Sequence, residues 1–355
     1  MKICAMMSVG NDREFFRSTL DSIYWFFDEI HVVFGSFGHT RHMHGENGLP
    51  KDGTAGILLE SGSEAYPDPD SKIVTHVCKD GFKSWGESYN YVLRKMPDDT
   101  DWVMHVNSGD IYLQEDLDYL RERMRLTDKR VIYWPMMHLM RTLRWVNVAG
   151  EELRLFRYSP SLMYSEDPSV CGGVLLDRET PVWHLGPSGR HFEFTAVVRT
   201  FHTCHARSPE YLREKVAMLA VIDRLGMRHH SVTEHVEPEP EDYRAAEERL
   251  RRTSGFLYFT DPEFASFDIR VANNEVPGIQ LYEGPYPESL QRHPRFVDEV
   301  LGWWGEHPIY RGRGVTTAGM DPVRARWMFD TMLEFHWSLK AGIAKPDALK
   351  GALTW

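Results

Sequence analysis

Cysteine is scarce: the 355 residues contain four, Cys4, Cys78, Cys171 and Cys204, far apart and with no CxxC pair. That spacing gives no zinc-ribbon signature and fits reduced thiols of an intracellular protein. Two glycine-rich phosphate loops are also missing. No GxGxxG follows the first apolar run and no GxxxxGK[ST] occurs anywhere, which disfavours a dinucleotide dehydrogenase or a P-loop kinase. No apolar run reaches the ~18 residues that would suggest a membrane span. The N-terminal MKICAMMSVGNDREFF turns polar without a small-residue cleavage site and so reads as a first buried strand, not a signal peptide. Basic residues are the minority, 41 against 52 acids, for a net charge of −11. This argues against a broad, nonspecific grip on nucleic acid, although a local basic groove would escape the test. No internal repeat is present.

What is there is an ordinary globular composition, 42% hydrophobic and 26% charged, long enough for one large domain with an appendage or for two domains. The segment GHTRHMHG concentrates three of the 17 histidines. Glycines bound it and no acid or cysteine joins it, so a solvated loop is preferred over a metal-binding tract.

Residues 2–9 suit a buried parallel strand. Asn11 and Asp12 offer N-caps for a helix to about residue 27, in which Phe16, Leu20, Ile23, Tyr24 and Phe27 share one face. EIHVVF is the next strand, completing a βαβ unit. Residues 35–71 are rich in Gly, Pro, Ser and Asp and long for a plain connection, which suggests a mobile or substrate-covering segment. Further strands are expected at 72–77, 101–106 and 130–136, with helices at 85–95 and 117–124. A hairpin is expected at 141–158. Beyond it, helices are expected at 208–225, 242–252, 295–304 and 322–341, with an acidic, proline-interrupted linker at 234–241. The expected fold class is therefore α/β, a mostly parallel, Rossmann-like sheet flanked by helices, with a helical C-terminal extension. The expected division is residues 1–206 and 207–355.

Ligands of open parallel sheets bind beyond the carboxyl ends of the strands. Polar residues collect at those ends: Ser8 and Asn11 in SVGND, Ser36 after the second strand, Asp80, Lys83 and Asn90 in KDGFKSWGESYN, and Asn107, Ser108 and Asp110 in NSGD. Each has a plainer reading. Capping explains Asn11 and Asp12, and NSG is ordinary turn chemistry. His202 and His205 fit either a ligand site or a core with satisfied hydrogen bonds. Trp85 and Trp134 read as core before sugar platforms. Arg141, Arg144, Arg154 and Arg157 form a phosphate-binding cluster or the exposed face of an alternating strand.

At this point the residues carry a resemblance. ICAMMSVGNDREFFRSTLDSIYWFFDEIHVV, DWVMHVNSGDIYL, ELRLFRYSPSLMYSED and FHTCHARSPEYLREK, in this order, resemble segments of the family 2-like glycosyltransferases with the GT-A fold, over roughly residues 1–220. The resemblance implies a nucleotide-sugar donor, UDP-linked among others. It also implies Mg²⁺ or Mn²⁺ held by the acids of a DxD motif, which offsets charge on the departing nucleoside diphosphate. The anomeric outcome it implies is inversion, with Glu166 or Asp167 of YSED as general base. The sequence departs from the pattern at its centre: Asn107, Ser108 and Gly109 stand where D-x-D falls, leaving only Asp110 after them. Asp110 with His202 is then the remaining ligand pair, and the site is a weakened metal site or a metal-free one with cationic side chains replacing part of the ion. The acid expected at the end of the second strand is Phe34 or Gly35.

The reading is a cytoplasmic glycosyltransferase, transferring a sugar to a hydroxyl of a glycan, a lipid-linked glycan, a protein or, last, a hydroxylated base in DNA. The alternative is a non-catalytic GT-A-like module that binds a nucleotide or glycan. A nucleotidyltransferase ranks below both, for want of a glycine-rich basic loop after the first strand. The C-terminal helices cover the acceptor cleft or build an oligomer.

Overall fold

The computed structural model describes residues 1–60, 65–140, 142–151, 154–165, 175–177, 180–181, 192–207, 211, 241, 280–282, 284–296 and 299–300. In chain order the elements are β1 (Ile3–Val9), α1 (Arg13–Ile23), β2 (Glu29–Phe34), a 3₁₀ turn (Gly38–Met43), α2 (Gly56–Leu59), β3 (Ile73–Val77), α3 (Trp85–Leu93), β4 (Trp102–His105), β5 (Asp110–Tyr112), α4 (Gln114–Leu126), β6 (Val131–Tyr133), β7 (Pro135–Met140) and β8 (Trp145–Glu151). They continue with β9 (Leu155–Arg157), β10 (Leu162–Tyr164), β11 (Leu175–Asp177), β12 (Thr180–Pro181), β13 (Phe192–Phe194), β14 (Thr200–His205), β15 (Gln280–Leu281), α5 (Glu288–Gln291) and α6 (Pro294–Phe296).

The fold class is α/β, built on a mixed seven-stranded sheet in the order β13-β6-β9-β4-β1-β2-β3. β3, β2, β1 and β4 run parallel, while β9 is antiparallel to both β4 and β6. β1 explains why its sequence is apolar almost throughout. Ile3, Ala5, Met7 and Val9 pack on one side with Phe16, Leu20 and Ile23 of α1; Cys4 and Met6 pack on the other with Tyr89, Val92 and Leu93 of α3. A parallel strand covered on both faces cannot alternate. Phe16, Leu20 and Ile23 of the anticipated face are buried in α1, but the helix ends at Ile23 instead of running to residue 27; Tyr24 and Phe27, in the turn that follows, are buried as well.

A second sheet, β15-β8-β7-β14-β5, stands beside the first. The hairpin expected over 141–158 is corrected here. β8 pairs antiparallel with β7, and β9 leaves for the main sheet. Trp145 and Val146 are buried with the second sheet, whereas Leu155 and Phe156 complete the two cores of the first. The strand expected at 130–136 is likewise two strands, one in each sheet. The solvated-loop expectation for GHTRHMHG also changes: His44 is buried and its Nδ1 bonds the Thr40 carbonyl at 3.0 Å.

Residues 280–300, expected within the C-terminal region, add β15 to the second sheet and pack Tyr282, Tyr286, Leu290, Phe296 and Val300 around Phe15 and Phe201. The helices expected over 208–225, 242–252 and 322–341 and the 234–241 linker fall outside the described residues. Of the 295–304 helix, Pro294–Phe296 is described. Among the described residues, no helix is long and apolar enough to cross a membrane.

Candidate functional site

Strand order reverses between β1, whose next neighbours are β2 and β3, and β4, which leads to β9. In an open sheet the crevice at such a switch point, beyond the carboxyl ends, is where a ligand fits. The residues found there are Asn11 and Asp12 after β1, and Asn107 to Asp110 after β4.

Asp12 occupies the N-cap position of α1, yet its side chain makes no capping bond. The caps come from the following segment instead. Asp52 accepts from the Arg13 N–H at 3.0 Å, and Thr54 Oγ1 accepts from the Asp12 N–H at 2.8 Å. Asp52 in turn accepts from the Thr54 hydroxyl and N–H. The turn between them passes through Gly53 at φ 84°, a conformation that favours glycine. With the helix end satisfied by Asp52 and Thr54, the Asp12 carboxylate is directed into the crevice. There it bonds Ser108 Oγ and pairs with Arg207.

Asn107 to Asp110 form a tight turn closed by the Asp110 N–H to the Asn107 carbonyl at 3.0 Å. The turn is bolted from two sides. Thr19 of α1 donates to the Ser108 carbonyl at 2.8 Å, and Thr203 of β14 donates through its N–H and hydroxyl to the Gly109 carbonyl at 2.9 and 3.0 Å. Gly109 has no positive φ; the reason for glycine is space. A Cβ there would overlap Arg207 Nη2 and lie 2.6 Å from Thr203 Oγ1.

Asp110 is fully buried. Register explains its partners: His202 of β14 lies directly opposite it, and Arg154 sits just before β9, beside the end of β4. Asp110 Oδ1 accepts from His202 Nδ1 at 2.6 Å, and Oδ2 accepts from Arg154 and from the Asn107 N–H at 2.9 Å. Because the carboxylate can only accept, the His202 proton is on Nδ1. Because a guanidinium can only donate, the Asn107 amide is assigned with its oxygen, and not its nitrogen, toward Arg154 Nη2, at 2.8 Å. Burial pushes the Asp110 carboxyl up, but Arg154, His202 and the Asn107 N–H outweigh it and hold it below the usual carboxylate value. Arg207 is as buried as Arg154; its guanidinium lies over the Phe15 ring at 4.8 Å and against Asp12. Arg295, in turn, ties Glu14 and the Ala206 carbonyl together at 2.6 Å each, beside Arg207.

A divalent cation of the Mg²⁺ or Mn²⁺ type needs carboxylate oxygens able to face it. The residues present do not fit one. Both oxygens of Asp110 are engaged by positive or N–H groups, and Asp12 is engaged by Arg207 and Ser108. Among the described residues, no group of three or more His, Cys, Asp or Glu side chains is placed to hold a metal.

The other residues singled out from the sequence have different surroundings. Ser8 is half-buried on β1. Ser36 follows β2 and its carbonyl accepts from Phe82 N–H at 2.8 Å, while Asp80 and Lys83 are exposed nearby after β3. Asn90 is buried in α3 and clamps β10, its amide bonding the Tyr164 N–H and carbonyl at 2.6 and 2.9 Å. Glu166 and Asp167 lie outside the described residues. Trp134 is buried with its indole N–H on Thr200 at 2.7 Å, and Trp85 is half-buried against Phe37. The exposed-face reading of the arginines is corrected: Arg144 and Arg154 are buried, and Arg157 folds over Trp102 and bonds the Thr127 and Lys129 carbonyls. Arg141 is outside the described residues. The arginine not singled out is Arg207. It stood in the HARSPE motif, six residues after Phe201, and nothing in its sequence neighbourhood pointed to Asp12 or Gly109 as its partners.

No family model matches the chain, and no curated protein matches it. Solved structures similar to it include TarS of S. aureus, residues 1–349, at 13% identity and TM-score 0.39, covering 84% of this chain and 82% of that one. The same fragment in complex with UDP-GlcNAc aligns at 12% identity and TM-score 0.39, over 77% and 80%. A longer TarS structure aligns over 77% of this chain and 46% of its own, so the chain spans about half its length. A 4-diphosphocytidyl-2C-methyl-D-erythritol synthase from Anaerococcus prevotii DSM 20548 aligns at 12% identity and TM-score 0.27, over 71% and 99%. Likeness of this size carries no argument about what the chain does.

Proposed function

We propose that the chain is a glycosyltransferase that binds a nucleotide sugar at the β1/β4 crevice and passes the sugar to an acceptor hydroxyl. One observation carries the reading: the polar strand ends that resemble the family's donor segments, Asn11-Asp12 and Asn107 to Asp110, converge at the switch point of the sheet and are joined through Ser108 and Asp12. The acceptor oxygen attacks the anomeric carbon with inversion, Glu166 or Asp167 takes its proton, and the nucleoside diphosphate leaves. Asn107 and Ser108 serve as hydrogen-bonding contacts to the donor.

A second reading, a non-catalytic nucleotide- or glycan-binding module, is favoured by the internal pairing of both Asp12 and Asp110. Two measurements separate the readings. A thermal-shift screen of UDP, GDP, CDP and their sugars finds the base, since a ligand bound to the folded state raises the melting temperature. Turnover of the stabilising donor, by hydrolysis or transfer, is then followed in the wild type, Glu166→Gln and Asp167→Asn. Turnover lost in either variant with donor binding kept supports the enzyme. Donor binding without turnover supports the module, and no shift with any nucleotide sinks the donor-site reading.

A further inference from the structure

We infer that this site has exchanged the divalent cation for built-in guanidinium groups, with Arg207 standing where the side chain of the second acid of a DxD motif would begin. The inference rests on the donor-site reading above for its ligand, and on geometry alone for the exchange. The turn keeps its backbone, but the position that D-x-D would fill with its second acid is Gly109, and the volume of that side chain is taken by Arg207 Nη2 and Thr203 Oγ1. The position of the first acid is Asn107, which turns its amide oxygen to a second guanidinium, Arg154. The substitutions are therefore complementary: each acid that is missing faces an arginine that is present.

Charge agrees with geometry. Asp12 and Asp110 are matched by Arg154 and Arg207, so the four groups cancel formally. A site that recruits Mg²⁺ or Mn²⁺ before its donor must carry net negative charge and open oxygen ligands. Here neither is left among the described residues, and a cation could reach Asp110 only by displacing Arg154 or His202. Arg207 is held for a fixed role, its plane on Phe15 and its fork toward Asp12. A planar guanidinium is suited to two oxygens of a diphosphate, and it needs no free ion. Lysine would supply the charge but not the fork.

The test uses the intact chain and two probes, Mn²⁺ alone and UDP. Titration of Mn²⁺ followed by the paramagnetic resonance of the free ion is expected to show no site lost on Asp110→Asn. The double variant Gly109→Asp, Arg207→Ala, which reopens the acid position, is expected to gain one. UDP affinity is expected to change less than about twofold between EDTA and Mn²⁺, and to fall about ten- to hundredfold in Arg207→Gln, the loss of one charge-assisted contact. Wild-type Mn²⁺ binding abolished by Asp110→Asn, or UDP binding that requires Mn²⁺, overturns the inference. Should UDP, GDP and CDP all fail to bind in either condition, the donor-site reading falls, while the Mn²⁺ titrations still decide whether the ion is excluded.

Discussion

Two buried aspartates six positions apart answer the same problem differently. Asp116, in the first turn of α4, meets one guanidinium: Arg199 reaches it through its backbone N–H at 2.7 Å, Nε at 2.9 Å and Nη2 at 2.7 Å. Burial outweighs that partner and its carboxyl stands above the usual value. Asp110 is buried at least as deeply, yet Arg154, His202 and the Asn107 N–H hold its carboxyl below the usual value. Asp116 fastens a helix start to residue 199, with Arg199 itself partly exposed. Asp110 anchors a cluster of charges at the switch point, where an ordinary structural pair would not need three partners. A buried ion pair is weak evidence for stability on its own; the convergence of Arg154, His202 and the Asn107 N–H on one carboxylate at the switch point is what marks a site.

The comparison breaks hardest at Arg154. Arg154→Met leaves the Asp110 carboxylate buried with the His202 imidazole and the Asn107 N–H as its remaining donors and is expected to cost about 3–5 kcal/mol, read as a lower urea midpoint. Adding Asp110→Asn to that variant should return much of the loss, because the uncompensated charge is gone. Gly109→Ala is expected to cost about 1–3 kcal/mol, an overpacking effect against Arg207 and Thr203, and to weaken nucleotide binding by displacing Arg207. Asp116→Asn should cost only about 1 kcal/mol, since an amide oxygen still accepts from Arg199, and should leave nucleotide affinity unchanged. A change in affinity there would erase the distinction between the two pairs.

The smallest effect is with pH. Burial holds His31, His44 and His293 below their ordinary histidine value. The unfolded chain therefore takes up their protons first, at about pH 6.5. Stability is full above that pH and falls as the pH drops toward the lower folded values. Asp110 acts in a separate window: its contribution is full above the unfolded carboxylate value of about 3.9 and is lost only as pH falls through its lower folded value. Urea midpoints between about pH 7.5 and about pH 5.5 should therefore fall, and less so in His31→Phe.

β1, β2, β4 and α1 were legible because burial on both faces leaves continuous apolar runs and burial on one face leaves a 3.6-residue period; β3, half-buried at the sheet edge, was legible from its short β-branched run. β7, β8 and β9 were not. Their residues alternate alike, and only their pairing, Leu155 with the distant Met104 and Val146 with the neighbouring Leu139, separates the two sheets. The site was half legible. NSGD was conspicuous as a broken motif after a buried strand, and His202 was paired with Asp110, but as a fellow ligand of a cation and not as the donor to its carboxylate that it is. The functions of Asp12, Arg154 and Arg207 were hidden for one physical reason: each is defined by a partner far away in sequence. Asp12 reads as a cap until Asp52 and Thr54 are seen to satisfy the helix start. Arg154 reads as a surface residue of a hairpin until β9 is seen beside β4.

The central claim is that a nucleoside diphosphate binds at the β1/β4 crevice against a built-in guanidinium group, without a divalent cation. The most direct measurement is calorimetric titration of UDP, in EDTA, into the wild type, Arg207→Gln and Asp116→Asn. The account predicts binding by the wild type and Asp116→Asn alike, with affinity about ten- to hundredfold weaker in Arg207→Gln. Equal affinity in all three, or wild-type binding that returns only when Mn²⁺ replaces EDTA, would contradict it.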